Sequence, residues 1–265
     1  SSYSLLEGAL PIEKMAKLAK AHGLVALGLT DTDNLFGALE FSDKLAGYGI
    51  QPIVGCSLAV AFAEKPAGDP AVPERPTAAG RPQRIALLAM TGQGYTNLMQ
   101  LSSIAFLETP DGESPRVDLP TLARLADGLI ALSGGPDGPI DRAIAAGQPA
   151  VAMQRLAQLK EIFGDRLYVE VQRHGVAAET EVEPELTDLA YRLALPLVAT
   201  NEAYFPTPDD FEAHDALICI AEGSYVSVDD RRRLTPEHGF KSPAEMGALF
   251  RDLPEAIAST IEIAR

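Results

Sequence analysis

The chain has 265 residues, 46% of them hydrophobic, and 37 acidic against 22 basic side chains give it a formal charge of −15. That length suits one large α/β domain or two small ones, and that charge excludes a direct grip on a nucleic-acid backbone, which needs clustered Lys and Arg. The two cysteines, Cys56 and Cys219, sit in apolar stretches and read as reduced thiols of a cytoplasmic protein, and no apolar run reaches the ~18 residues of a membrane span.

Residues 1–10 form a polar-to-apolar entry that begins without Met, as a piece cut from something longer would. Pro11 suits the first turn of a helix on which Ile12, Met15, Leu18 and Ala19 share a face, and Gly23 ends it. Residues 24–34 (LVALGLTDTDN) organise the rest of the chain. An uncharged apolar run predicts a buried parallel strand over 24–30, and its polar end would lie where α/β folds build their sites. Asp31 and Asp33 there suit a metal or proton transfer, though the same cluster is also good turn and cap chemistry.

A helix is expected over 35–48, with Leu39, Phe41 and Leu45 inward. A strand over 51–62 comes next, with a bulge at Gly55. Residues 64–82 lose apolar periodicity to Pro, Ala and Gly and read as a flexible loop, so 51–62 and 84–90 would form a hairpin with a long tip. Helices are predicted over 95–106, 119–126, 140–146, 150–163, 183–193 and 209–219, the last capped by Thr207 or Asp209. Strands are predicted over 128–133, 167–172 and 195–200. The tail 240–264 holds one or two helices broken around Pro254. Strands alternating with helices mean a parallel sheet with crossovers.

The strand ends collect functional residue types: Asp31, Thr32, Cys56, Ser57, Arg84, Gly134, Gly135, Glu170, His174, Asn201, Glu202 and Tyr204. A metal hydrolase would converge several His and carboxylates there. The four histidines, His22, His174, His214 and His238, show no ligand-pair spacing. His22 reads as a helix C-terminal contact, His214 as packing or hydrogen bonding, and His174 as the one that could face the mouth. No GxGxxG, GKS/T or HExxH motif and no Ser/His/Asp set occurs.

Several segments together resemble one family: residues 2–9 (SYSLLEGA), 30–38 (TDTDNLFGA), 52–56 (PIVGC), 87–89 (LLA), Gly94-Tyr95 with Asn97-Leu98, 128–134 (GLIALSG), 199–202 (ATNE) and 240–242 (FKS). The chain resembles, over essentially its whole length, the N-terminal PHP (polymerase and histidinol phosphatase) domain of bacterial DNA polymerase III alpha subunits. The resemblance implies an α/β fold, a distorted (β/α)7 TIM-like barrel spanning 1–265, with residues 240–265 leading toward a polymerase core. It also implies that the first barrel strand lies before Ser1, which would leave an unpaired sheet edge beside strand 24–30 and invite an edge-strand dimer.

Active members of the family hold divalent ions in this barrel. Here Asp31 matches the family's Asp, but the neighbouring His is Thr32, the Glu is Ser57, a further His is Arg84, the Cys is Gly135, and the Asp-x-His after Asn201 is Glu202-Ala203-Tyr204. The first His pair would precede Ser1. No catalytic residue and no metal site is therefore expected, with Zn or Mn binding weak or absent and Mg confined to a polymerase core outside the chain. Arg84, a permanent cation, is expected to replace the metal as counter-charge to Asp31 or Glu202. The function implied is a scaffold within a DNA-directed DNA polymerase (a nucleotidyltransferase), docking the rest of the alpha chain and the proofreading exonuclease subunit. The alternatives are an active metal-dependent phosphoesterase or 3′–5′ exonuclease, which needs substitute ligands, and a free-standing barrel enzyme acting on a non-phosphate substrate.

Overall fold

A computed structural model describes residues 1–62 and 82–265. The helices and strands alternate as α1 (Ile12–Ala21), β1 (Ala26–Thr32), α2 (Ala38–Gly47), β2 (Gln51–Ala61), β3 (Arg84–Ala89), α3 (Gly92–Glu108), β4 (Val117–Asp118), α4 (Leu119–Arg124), β5 (Leu129–Leu132), α5 (Pro139–Ala145), α6 (Pro149–Phe163), β6 (Leu167–Val171), α7 (Ala177–Arg192), β7 (Leu197–Ala199), α8 (Phe211–Glu222), α9 (Pro243–Leu249) and α10 (Pro254–Ile263). Of the segment 64–82 expected as a loop, residues 64–81 lie outside the described residues.

The strands form one curled sheet in the order β1-β2-β3-β5-β6-β7, with β4 added to β2. The sheet is mixed rather than all parallel: β3 runs antiparallel to both β2 and β5, while β1/β2, β5/β6 and β6/β7 are parallel. The antiparallel β2/β3 pair is the pairing expected of these two strands, and β3 then meets β5 antiparallel as well. Among the described residues β1 and β7 do not pair, so the barrel stays open beside β1, as expected.

Strand alternation divides the core. Cys56, Leu58, Ile85, Leu87, Leu129, Ala131, Val169 and Leu197 face the layer formed by α3 to α7, in a cluster that extends to Phe250 and Ala256. Leu88, Ile130, Leu132 and Val198 face the other way, where Ile263 at the end of α10 packs on them. A third cluster joins Leu29 of β1 to Met15 and Ala19 of α1 and to Phe41 and Leu45 of α2. Leu39 is 75% exposed instead of inward. The buried stripe of α2 runs Ala38, Phe41, Leu45, and Leu39 lies about 100° around the helix from its neighbour Ala38.

Gly55 makes no bulge. Its pairing with Leu88 and Thr30 continues in register on both sides, and a Cβ there would lie 2.5 Å from the Leu87 carbonyl oxygen. The glycine serves close approach, the other reason to find one inside a strand. Helix α7 begins six residues before the expected start, running through Pro184. The lost backbone bond at Pro184 ends no helix because Val182, Leu186 and Leu189 bury one face in the main cluster. The tail forms two helices broken before Pro254, and Ser242 caps the first of them in a reciprocal bond set with Glu245.

Candidate functional site

The strand ends form a polar mouth built in two halves. On the β1 side, Asp31 is buried and accepts bonds from Ser1 Oγ (2.8 Å) and Ser4 Oγ (2.7 Å). Thr32 Oγ1 donates to Glu7 (2.7 Å). Asp33 comes just after the strand at φ 56°, a left-handed conformation that Asp tolerates better than most residues. That kink turns its carboxylate away from the Asp31 bonds and onto Arg84, which grips it through Nη2 (2.6 Å) and Nε (3.3 Å). Arg84 thus enters the mouth as a counter-charge, but its partner is Asp33 rather than Asp31 or Glu202. The left-handed turn gives the reason: Asp31 keeps the strand face of Leu29, against α1 and α2, whereas Asp33 leaves that face and meets Arg84, which begins β3 and reaches past the strand end.

Burial disfavours the Arg84 charge, yet Asp33, and beyond it Glu7 and Asp137, more than offset this and raise the guanidinium's pKa. Burial with the Asp33 and Asp31 charges pushes the Cys56 thiol up to about 12, so it is no nucleophile near neutrality. Ser57 takes part through its carbonyl, which accepts from Asp33 N (2.9 Å).

On the β6–β7 side, Glu170 is buried and accepts from Thr200 Oγ1 (2.5 Å), Gln172 Nε2 (3.1 Å) and Gly134 N (3.1 Å). A Cβ on Gly135 would lie 2.8 Å from the Gln172 amide carbon, so a larger residue at this position would collide with the Gln172 amide. His174 does face this half: it bonds Glu179 through Nδ1 (2.8 Å) and Asn201 Oδ1 through Nε2 (3.1 Å), and stacks on His238 with centroids 4.0 Å apart. Burial and the adjacent His174 lower His238 to about 3, and Nδ1 of His238 accepts from Thr235 N (3.2 Å). Nothing in the local sequence signals the His174–His238 stack, because 63 intervening residues separate the two rings.

Glu202 is exposed by surface area, yet the protein crowded around it raises its carboxyl, with a Tyr204 hydrogen bond opposing. The side chain is water-accessible. Tyr204 is buried between His214 and His238, and its phenol is raised well above its ordinary value by burial and by Glu202. His22 caps the C-terminus of α1, and His214 donates to the Glu7 carbonyl (2.6 Å), structural roles for both.

The entry segment ties the halves together. Ser4 and Glu7 hold the β1 side, while the Glu7 carbonyl and Ala9 N (2.8 Å to Tyr204 O) hold the segments after β7. Hydrogen bonds of residues 1–10 therefore span the opening that no described strand closes.

As a metal centre this donor set is a poor fit. Asp31 accepts from the Ser1 amino terminus (2.6 Å) and from the Ser1 and Ser4 hydroxyls, both Asp33 oxygens bond Arg84, and Gly135 offers no side chain. Among the described residues no three His, Cys, Asp or Glu side chains converge as a metal cage.

A buried mouth at the strand ends of an open α/β barrel defines a class, and the PHP domain profile matches residues 1–174: the chain belongs to the PHP domain family. Its curated relatives are DNA polymerase III alpha subunits. That of Caulobacter vibrioides is 47% identical over 100% of this chain and 22% of its own length, that of Rickettsia prowazekii 37% over 99% and 21%, and that of Pseudomonas aeruginosa 36% over 100% and 22%. The chain thus spans about a fifth of the length of the relatives it matches. Among solved structures, an amidohydrolase from Chromobacterium violaceum superposes with a TM-score of 0.45 at 13% identity, covering 73% of this chain and 82% of that one. Among the described residues, no helix is long and apolar enough to cross a membrane.

Proposed function

We propose that the chain is the PHP domain of a cytoplasmic DNA polymerase III alpha subunit and that it works there without a metal ion, as a brace. The Arg84–Asp33 pair carries this reading. The guanidinium stands where the family resemblance puts a metal-ligating His, and it supplies permanently the positive charge that a divalent ion would bring. The rest of the mouth is consistent with that: its carboxylates are neutralised or hydrogen-bonded by groups of the chain itself. The charge of −15 supports contact with protein partners rather than DNA. The partners proposed are the rest of the alpha chain and the proofreading exonuclease subunit, with polymerisation and its Mg chemistry lying outside this segment.

The test is a nuclease and phosphoesterase assay of the purified chain in Mn and in Zn. The proposal expects no turnover above a metal-free control, and no loss of thermal stability on chelation. Metal-dependent removal of 3′ nucleotides that disappears in Asp31→Ala would replace the brace with the active-hydrolase alternative.

A further inference from the structure

The junction of α5, β6 and α7 contains a charge problem that the mouth does not explain. Asp141, in the first turn of α5, is 6% exposed, and its Oδ1 has no hydrogen-bond partner. It lines a cavity of about 10 Å³ with Pro136, Val171, Gln172, Glu179, Glu183 and Leu186, room for about one water. Apart from Gln172, whose amide nitrogen is bonded to Glu170 and Thr200, the lining is acidic and apolar, and none of the residues that line it is a cation. A buried carboxylate in such a place needs a proton, a cation or a hydrogen-bond donor.

Beyond its own backbone N–H, the neighbouring groups supply Oδ1 with neither of the last two by visible contact. From the turn before α5, Asp137 is held by Arg142 (2.7 Å). From β6 and its end come Glu170, bonded to Thr200, and Arg173 and His174, directed at Glu183 and Glu179. From α7 come those same Glu179 and Glu183. From α6, Arg155 donates to the Pro139 carbonyl (2.8 Å) and Gln83 (3.0 Å). Each described cation named above is directed at another acceptor, while three carboxylates, Glu170, Glu179 and Glu183, lie near Asp141. Among the described residues no three His, Cys, Asp or Glu side chains form a metal cage there.

We propose that Asp141 is a proton-binding site: the native domain carries it as the uncharged acid near neutral pH, and the α5–β6–α7 junction loosens when that proton leaves. An uncharged carboxyl resolves the burial, adds a donor that can serve one water in the cavity, and removes the repulsion from its three acidic neighbours. The titration runs in the same direction, since burial first, and then the Glu170 and Glu179 charges, raise this carboxyl well above its ordinary value, against a smaller opposing contribution from its own backbone N–H. In the unfolded chain Asp141 ionises near its ordinary value, whereas the folded chain keeps the proton. This group therefore destabilises the fold progressively as pH rises from the unfolded value to the folded one.

The experiment is urea unfolding of the 265-residue chain and of Asp141→Asn between about pH 5 and pH 9. The amide keeps the shape and needs no proton. The ratio of the wild-type to the variant folding constant should fall by up to about tenfold per pH unit and level off only once the native group ionises. A ratio that stays constant over this range overturns the proposal. So does a ratio that depends on sodium against tetramethylammonium at equal ionic strength, which would put a cation rather than a proton in the cavity. Should Asp141→Asn not fold, the carbon-13 resonance of the Asp141 carboxyl in the wild type decides. Titration with a midpoint above about pH 7 supports the proton site, and a midpoint below it ends it.

Discussion

At the scale of single residues, the pair that matters most is Arg84 on Asp33. The family resemblance points to Asp31 or Glu202 as the partner, since Asp31 matches the family's ligand Asp, and period-two alternation treats Asp31 and Asp33 as equivalent. The left-handed backbone at Asp33 breaks that equivalence, and a sequence does not announce it. Both partners are largely enclosed, with side-chain exposures of 20% and 10%. Arg84→Met strands the Asp33 charge and should cost about 2–3 kcal/mol, of which Asp33→Asn in the same background should restore more than half. Chemical denaturation of the two variants reads this. A cost under about 0.5 kcal/mol would mean that the pair contributes little.

His238 makes a second prediction at this scale. Its folded pKa of about 3 lies below the ordinary histidine value, so the unfolded chain binds the proton first as pH falls. Stability is therefore complete above about pH 6.5 and drains away toward pH 3, about 2 kcal/mol being lost by pH 5. His214 is shifted in the same direction by burial. Asp141 works with the opposite sign, so the test compares wild type with His238→Gln across about pH 5–7, and the variant should show a shallower acid slope. Equal slopes would contradict the neutral, buried ring.

At the scale of elements, the legible parts were those with a single physical cause. The uncharged run around Leu29 produced β1, the Ile12, Met15 and Ala19 stripe produced α1, and Pro254 split the tail. Less legible were elements whose state depends on distant packing. Helix α7 passes through Pro184, Leu39 faces water, and the two-residue strand β4 exists only because β2 offers it an edge. The tail is joined to the barrel by Arg173, which grips Glu183 (2.5 and 2.9 Å), Asp252 (2.7 Å) and the Leu249 carbonyl (2.7 Å), and lies 4.8 Å from the Phe250 ring centroid. Arg173→Ala should cost about 1–3 kcal/mol and should speed amide exchange in α9 and α10 before the rest of the chain. Uniform exchange throughout would show that the clamp does not hold the tail separately.

At the scale of the molecule, the fold is a barrel left open at β1 and drawn across that opening by residues 1–10. The family resemblance foresaw the gap, whereas the strap across it depends on Glu7 meeting His214, 207 positions further along the chain and beyond any local pattern. The carboxylates of the mouth are bonded by hydroxyls, amides, the Ser1 ammonium and one guanidinium. The most direct test is the metal content of the chain, purified without chelator and measured by elemental mass spectrometry after exposure to Zn and Mn and desalting. The account predicts well under one equivalent of either metal, unchanged by Asp31→Ala; one or more tightly held equivalents lost in that variant would contradict it.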